Sequence, residues 1–152
     1  MNVVSLPIDA NAAIGVDLSN AIRSAAAGDI AVQRQMRDDC LETMRRSIAQ
    51  GSIAEAHAYA LEAMFWARLV ASHGTDDDAM LLAATLAYLA EFWGFDQEDA
   101  PLGNDMLSEA FSIIDRVASN GSEDAACALN FIAGEVAPHI LKHAREMVDV
   151  GC

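Results

Sequence analysis

The stretch that most constrains this chain is residues 79–90, Ala-Met-Leu-Leu-Ala-Ala-Thr-Leu-Ala-Tyr-Leu-Ala, which lies between Asp78 and Glu91 without an internal charge. Leu82, Leu86, Leu89 and Trp93 recur at helical spacing on one stripe, and Leu81, Tyr88 and Phe92 form a second. A helix that is apolar on two sides keeps little surface for water, so the pattern predicts a central helix around which its neighbours pack. The run is too short to cross a membrane, which takes about 20 apolar residues. It is also Ala-rich with only Thr85 β-branched, which disfavours a strand.

The flanking chain extends the same reading. Residues 1–16 hold Pro7 and Gly15 and read as an N-terminal arm, and residues 17–152 read as a single helical domain. A first helix is expected over residues 17–27 and a second over 29–50. A third begins at the capping-box sequence Ser52-Ile-Ala-Glu55 and runs to residue 73. Thr75 caps the central helix, and Asp76, Asp77 and Asp78 sit where the helix dipole favours negative charge. A fifth helix is expected over 105–119. A sixth runs from Ser122 to about residue 149, bent or broken at Pro138. Gly28, Gly51, Gly74 and Gly121 each precede Asp, Ser or Thr, so each marks a tight turn from one helix into the next. Short turns make neighbours antiparallel. The predicted fold is therefore all-α, with five to six antiparallel helices stacked as α-α hairpins; a plain helical bundle is the alternative.

The spacing from Gly28 to Gly74 nearly equals that from Gly74 to Gly121, which suggests a repeat of one helix pair. In that register Ala63 meets Ala110, Val70-Ala71-Ser72 meets Val117-Ala118-Ser119, and Leu82 meets Leu129. The pattern resembles the Sel1-like repeats, a branch of the tetratricopeptide-type α-α superhelices. Ala63, Trp66, Ala71, Gly74 and Leu82 match that family, with Ala79 one place late. In the second copy Ala110, Ala118, Gly121, Ala125 and Leu129 match, while Ile113 stands at the aromatic position. The segment 94–104 is longer than the family would have, and the family's Leu-Gly pair and inter-repeat loop are missing from the matching positions. The resemblance covers about half the chain, residues 63–86 and 110–133. It implies an adaptor or regulatory module without chemistry of its own, holding a partner segment in a groove between hairpins.

The net charge of −14, from nine basic against 23 acidic residues, argues against nucleic acid as a ligand, because phosphate binding needs clustered Lys and Arg. It favours basic protein partners instead. One Lys against eight Arg is the usage expected of a GC-rich bacterial gene. Cys40, Cys127 and Cys152 are odd in number and scattered, as in a reduced, cytoplasmic protein, and the N-terminus shows no signal-peptide pattern. The chain carries no P-loop, dinucleotide fingerprint, nucleophile elbow or HExxH, and the acids of residues 96–105 lack calcium-loop spacing. No cofactor and no membrane partner are implied.

Candidate binding residues follow from chemistry and spacing. Arg34, Arg37 and Arg45 share one face of the second helix, where their guanidiniums could fork onto an acidic partner segment. The bland alternative pairs Arg34 with Asp38 and Glu42 with Arg46 along the helix. Phe65-Trp66 and Phe92-Trp93 are adjacent aromatics that cannot both enter one core. Trp66 and Trp93 are expected inside, leaving Tyr59 and Phe65 for partner contact. Glu135, His139 and His143, with Glu146, align on the last helix and form the metal-binding or hydrolytic alternative; plain surface histidines are the simpler reading. A self-associating bundle, a homodimer, is the third alternative.

Overall fold

The computed structural model describes residues 10–94, 100–135 and 142. The described residues are all-α: α1 (Ala10–Ala26), α2 (Ile30–Ala49), α3 (Ile53–Ala71), α4 (Asp76–Trp93), α5 (Pro101–Ser119) and α6 (Glu123–Glu135). None of these helices is long and apolar enough to cross a membrane.

Most boundaries fall where the turn chemistry placed them. Gly28, Gly51 and Gly121 take left-handed backbone angles, φ +94°, +74° and +99°, at the ends of α1, α2 and α5. Asp29 caps α2 by accepting from the amides of Ala31 and Val32 at 3.1 and 3.2 Å. Ser52 makes no side-chain cap bond, so the expected box with Glu55 does not form. The box closes one turn of chain later instead, between Thr75 and Asp78. Two helices start earlier than expected. α1 begins at Ala10, so residues 10–16 are helical rather than an extended arm. α5 begins at Pro101 rather than residue 105, because proline at the first helical position loses only an amide that has no intrahelical partner. The described part of α6 ends at Glu135; Pro138 and the expected continuation around it lie outside the described residues.

Each helix packs chiefly on its neighbours in the chain. From α2 to α5, consecutive helices run in opposite directions. His57 at the start of α3 stacks on Phe92 at the end of α4, and Gly103 at the start of α5 abuts Gly94 just beyond α4. Alternate helices run in the same direction. Arg34 of α2 meets Asp78 of α4, and further along both helices Leu41, Met44 and Arg45 face Leu81, Thr85 and Tyr88. Arg68 of α3 meets Glu109 of α5 in the same manner.

α4 lies inside the core, packed on α3 and α5. Leu86, Leu89 and Ala90 are fully buried, and Leu82 and Ala83 nearly so. The second apolar stripe is covered less than the pattern implied: Leu81 and Tyr88 are half-buried and Phe92 is exposed. Small residues take that burial in its place. Ala56, Ala60, Ala63 and Ala67 of α3 are all fully buried at steps of four, three and four. Without long side chains at those positions, neighbouring helices approach closely enough to exclude voids.

Two glycines inside helices test this packing in opposite senses. A Cβ on Gly103 would overlap the carbonyl oxygen of Gly94 and crowd that of Ala90, whereas a Cβ on Gly134 would meet nothing within 4 Å. Gly103→Ala is expected to cost about 1–3 kcal/mol, since backbone rather than a side chain must yield. Gly134→Ala is expected to be neutral or to stabilise by up to about 1 kcal/mol through helix propensity. Urea denaturation midpoints of the two variants check both signs.

Candidate functional site

The N-terminus of α4 gathers the strongest electrostatics among the described residues. Asp78 is 5 % exposed and accepts hydrogen bonds from Arg34 Nη2 at 2.6 Å, Arg37 Nη1 at 2.8 Å and the Thr75 amide at 2.9 Å. Thr75 Oγ1 lies 3.1 Å from the same carboxylate. Arg37 turns its Nε to Asp38 at 2.8 Å. The Arg34 hydrogen bond is the largest influence holding the Asp78 carboxyl far below the usual carboxylate range. Burial opposes it, and the Thr75 amide and Arg37 reinforce it. For Arg37 the largest influence is burial, which disfavours its charge, but its bonds to Asp38 and Asp78 outweigh that and raise its pKa overall.

This knot revises the basic face read from the sequence. Arg34 and Arg37 do converge, but on Asp78, 44 and 41 residues away, and not on Asp38 as helix spacing suggested for Arg34. Arg37 is 6 % exposed and cannot reach a partner without breaking the knot. Arg45 remains on the surface, 4.0 Å from Glu42, and Arg46 lies 3.9 Å from the same carboxylate, the expected i,i+4 pair.

By tying the start of α4 to α2, the knot sets the two helices side by side and leaves a groove between them. Leu41, Met44, Arg45, Leu81, Ala84, Thr85 and Tyr88 line it, enclosing about 110 Å³. Thr85 donates its hydroxyl to Leu81 O at 2.8 Å, so the floor is apolar in effect. Ile48 and Phe92, one helical turn beyond Met44 and Tyr88 in sequence, are 39 % and 40 % exposed. Its borders are acidic. Asp38 and Glu42 are exposed on the outer side of α2; Asp77, Ala84 and Glu91 follow one another at steps of seven on the outer side of α4, all exposed.

The remaining sequence candidates are not brought to this groove. Tyr59 is half-buried against the core on α3. Phe65 is 55 % exposed on α3, edge-on to its neighbour Trp66, which is 6 % exposed. Trp66 is thus inside as expected, and Trp93 is half-buried against the core. Sequence reasoning passed over Leu41, Met44, Leu81 and Tyr88 as groove residues. It also passed over His57, whose ring stacks on Phe92 at 4.1 Å and meets Trp93 edge-on at 5.0 Å. The side chains of Glu135, His139 and His143 lie outside the described residues. Among the described residues no group of three or more His, Cys, Asp or Glu could hold a metal ion. Cys40 is buried, which with Glu62 and Asp39 nearby pushes its thiol up to about 12, so it is a packing group and not a nucleophile.

Compared with known proteins, the chain matches no family model, no curated protein and no solved structure. The Sel1-like pattern therefore rests on its own residues.

Asp78→Asn should leave the buried Arg37 with Asp38 as its one remaining acid and cost about 2–3 kcal/mol, less than the roughly 3–5 kcal/mol of a buried charge left wholly unpaired. The pH dependence has a definite sign. Folding lowers the Asp78 pKa, so its stabilisation is complete above the unfolded value near pH 4 and drains away as pH falls below that. Urea titrations at about pH 7, 4 and 2.5 should show the gap between wild type and Asp78→Asn narrowing only at the acid end.

Proposed function

We propose that this protein is an interaction module without chemistry of its own, in which α2 to α5 form two stacked α-α hairpins of Sel1-like, tetratricopeptide type. A helical segment of a partner lies in the groove between α2 and α4. The observation that carries this reading is the groove itself: an apolar trough held open by Ala84 between helices that run in the same direction, with Leu81 and Tyr88 half-exposed. An apolar strip rimmed by charge is the usual receptor for an amphipathic helix.

The charges select the partner. Asp38, Glu42, Asp77 and Glu91 border the groove, while Arg34 and Arg37 are spent on Asp78 and Arg45 sits beside Glu42. A basic amphipathic helix fits these borders, with its cations over the acids and its Leu- or Met-like side chains in the trough. A cytoplasmic site of action agrees with the free thiols of Cys40 and Cys127.

A second reading, self-association, has its own observation. Ile48, Ile53, Phe92 and Leu102 are exposed, and the alternating helix directions bring all four to one end of the structure. A mass that falls on dilution and is restored by concentration would favour a homodimer through that end.

Screening a library of helical peptides of graded charge against the purified protein separates these readings. Basic amphipathic peptides should bind, with affinity falling as salt rises. Leu81→Glu and Met44→Glu should each weaken binding at least tenfold, while Phe65→Ala leaves it unchanged. Binding that survives both groove substitutions would overturn the groove as the site.

A further inference from the structure

A second recess lies on another side of α4. Leu81 faces the α2 groove, whereas the adjacent Leu82 forms part of the floor of a cleft between α3 and α5. The cleft holds about 270 Å³, and its lining is Arg68, Ala71, Ser72, Leu82, Glu109, Ile113 and Arg116. Ala71, Leu82 and Ile113 make an apolar base, with Leu82 and Ile113 only 5 % and 8 % exposed.

The rim is polar and unequal in charge. Arg68 and Glu109 join across the cleft by two parallel bonds, Nη1 to Oε1 at 2.7 Å and Nη2 to Oε2 at 2.6 Å. This fork holds the Arg68 guanidinium rigid and leaves its Nε–H without a partner among the described residues. Ser72 donates its hydroxyl to Leu69 O at 2.7 Å, so it has no proton to offer a ligand. Arg116 is exposed and pairs with no acid among the described residues. Two guanidiniums face one carboxylate, so among the described residues one positive charge is left uncompensated. That is unusual in a chain of net charge −14. Of the seven arginines with described side chains, five hold acids of the same chain: Arg34, Arg37, Arg45, Arg46 and Arg68.

We propose that this cleft binds a carboxylate carried on a short apolar stem. Arg116 takes the carboxylate, Arg68 supports it from the opposite rim, and the stem rests on Leu82 and Ile113. The single surplus charge suits a monoanion better than a phosphate dianion. The volume equals that of about nine waters, below the range of drug-sized pockets, and suits a group the size of one amino-acid residue. The ligand is either a free aliphatic acid or the C-terminal residue of a peptide. The inference does not depend on the α2 groove, which uses other residues.

Amide resonances of the labelled protein, followed by NMR, provide the test. The probes are 4-methylpentanoate, the tripeptide Gly-Gly-Leu, its C-terminal amide, and inorganic phosphate. Saturable shifts at residues 71, 82 and 113 with the acid, the tripeptide or both are expected, and which of the two binds identifies the source. The amide should bind at least tenfold more weakly, and so should the acid to Arg116→Gln. That variant changes an exposed side chain, and its circular dichroism should match wild type. Ile113→Ala should weaken the acid but leave any phosphate response unchanged. Three results would each overturn the proposal: no saturable shift with either carboxylate, an amide that binds as well as the acid, or phosphate binding as tightly with the same dependence on Arg116. Leu81→Glu, which blocks the α2 groove, should leave all these responses intact.

Discussion

The architecture depends on one buried carboxylate. Taking Asp78 out of water costs several kcal/mol, and the arrangement is stable only because every part of its surroundings repays that cost. Two guanidiniums and a backbone amide donate to it, and the N-terminal end of α4 adds a favourable dipole. Gly74 belongs to the same unit, since a Cβ there would collide with the Asp78 carboxylate and come within 2.7 Å of Val70 O. The turn into α4, the first residues of α4 and the register of α2 are therefore set together. The groove exists because that register is held at one end only. Further along, Leu41 and Met44 of α2 and Leu81 and Tyr88 of α4 line the space between the two helices.

Close packing does the rest. The buried alanines of α3 and the glycine contact between Gly94 and Gly103 let backbones approach where larger residues would hold them apart. Leu86, Leu89, Val70 and Val117 then fill the space between helices. Such a core interleaves buried alanines with larger side chains, so an added methyl at a helix crossing is felt as well as a lost leucine.

Charge is divided between inside and outside. The buried or half-buried arginines sit against acids, while Asp38, Glu42, Asp77 and Glu91 face water along the groove. The two recesses thus differ in electrostatic character although both have apolar floors. The groove is bordered by carboxylates, and the α3–α5 cleft by two arginines and one glutamate.

The class of fold was legible in the amino-acid sequence. Alanine content, helical apolar spacing and Gly-then-cap turns are local signals, and local hydrogen bonding enforces them, so of the nine helix boundaries described after α1 all but the start of α5 lie within two residues of their sequence expectations. The central role of residues 79–90 was legible for the same reason. The Ser52 box failed, with the cap backbone at φ −84°, ψ 69°, and the Thr75–Asp78 box formed, with the cap residue in the extended conformation that N-caps adopt, φ −94°, ψ 172°. The site was mostly illegible. Arg34 and Arg37 looked like a surface patch because their nearest acids in sequence were on the same helix. Only the folded chain brings Asp78 to them from more than 40 residues away. Leu81 and Leu82 are neighbours in a uniform apolar run, yet one lines the groove and the other the cleft. Periodicity tells which residues are apolar; which face of α4 its neighbours leave uncovered is decided by the packing of α2, α3 and α5, a property of distance in space and not along the chain.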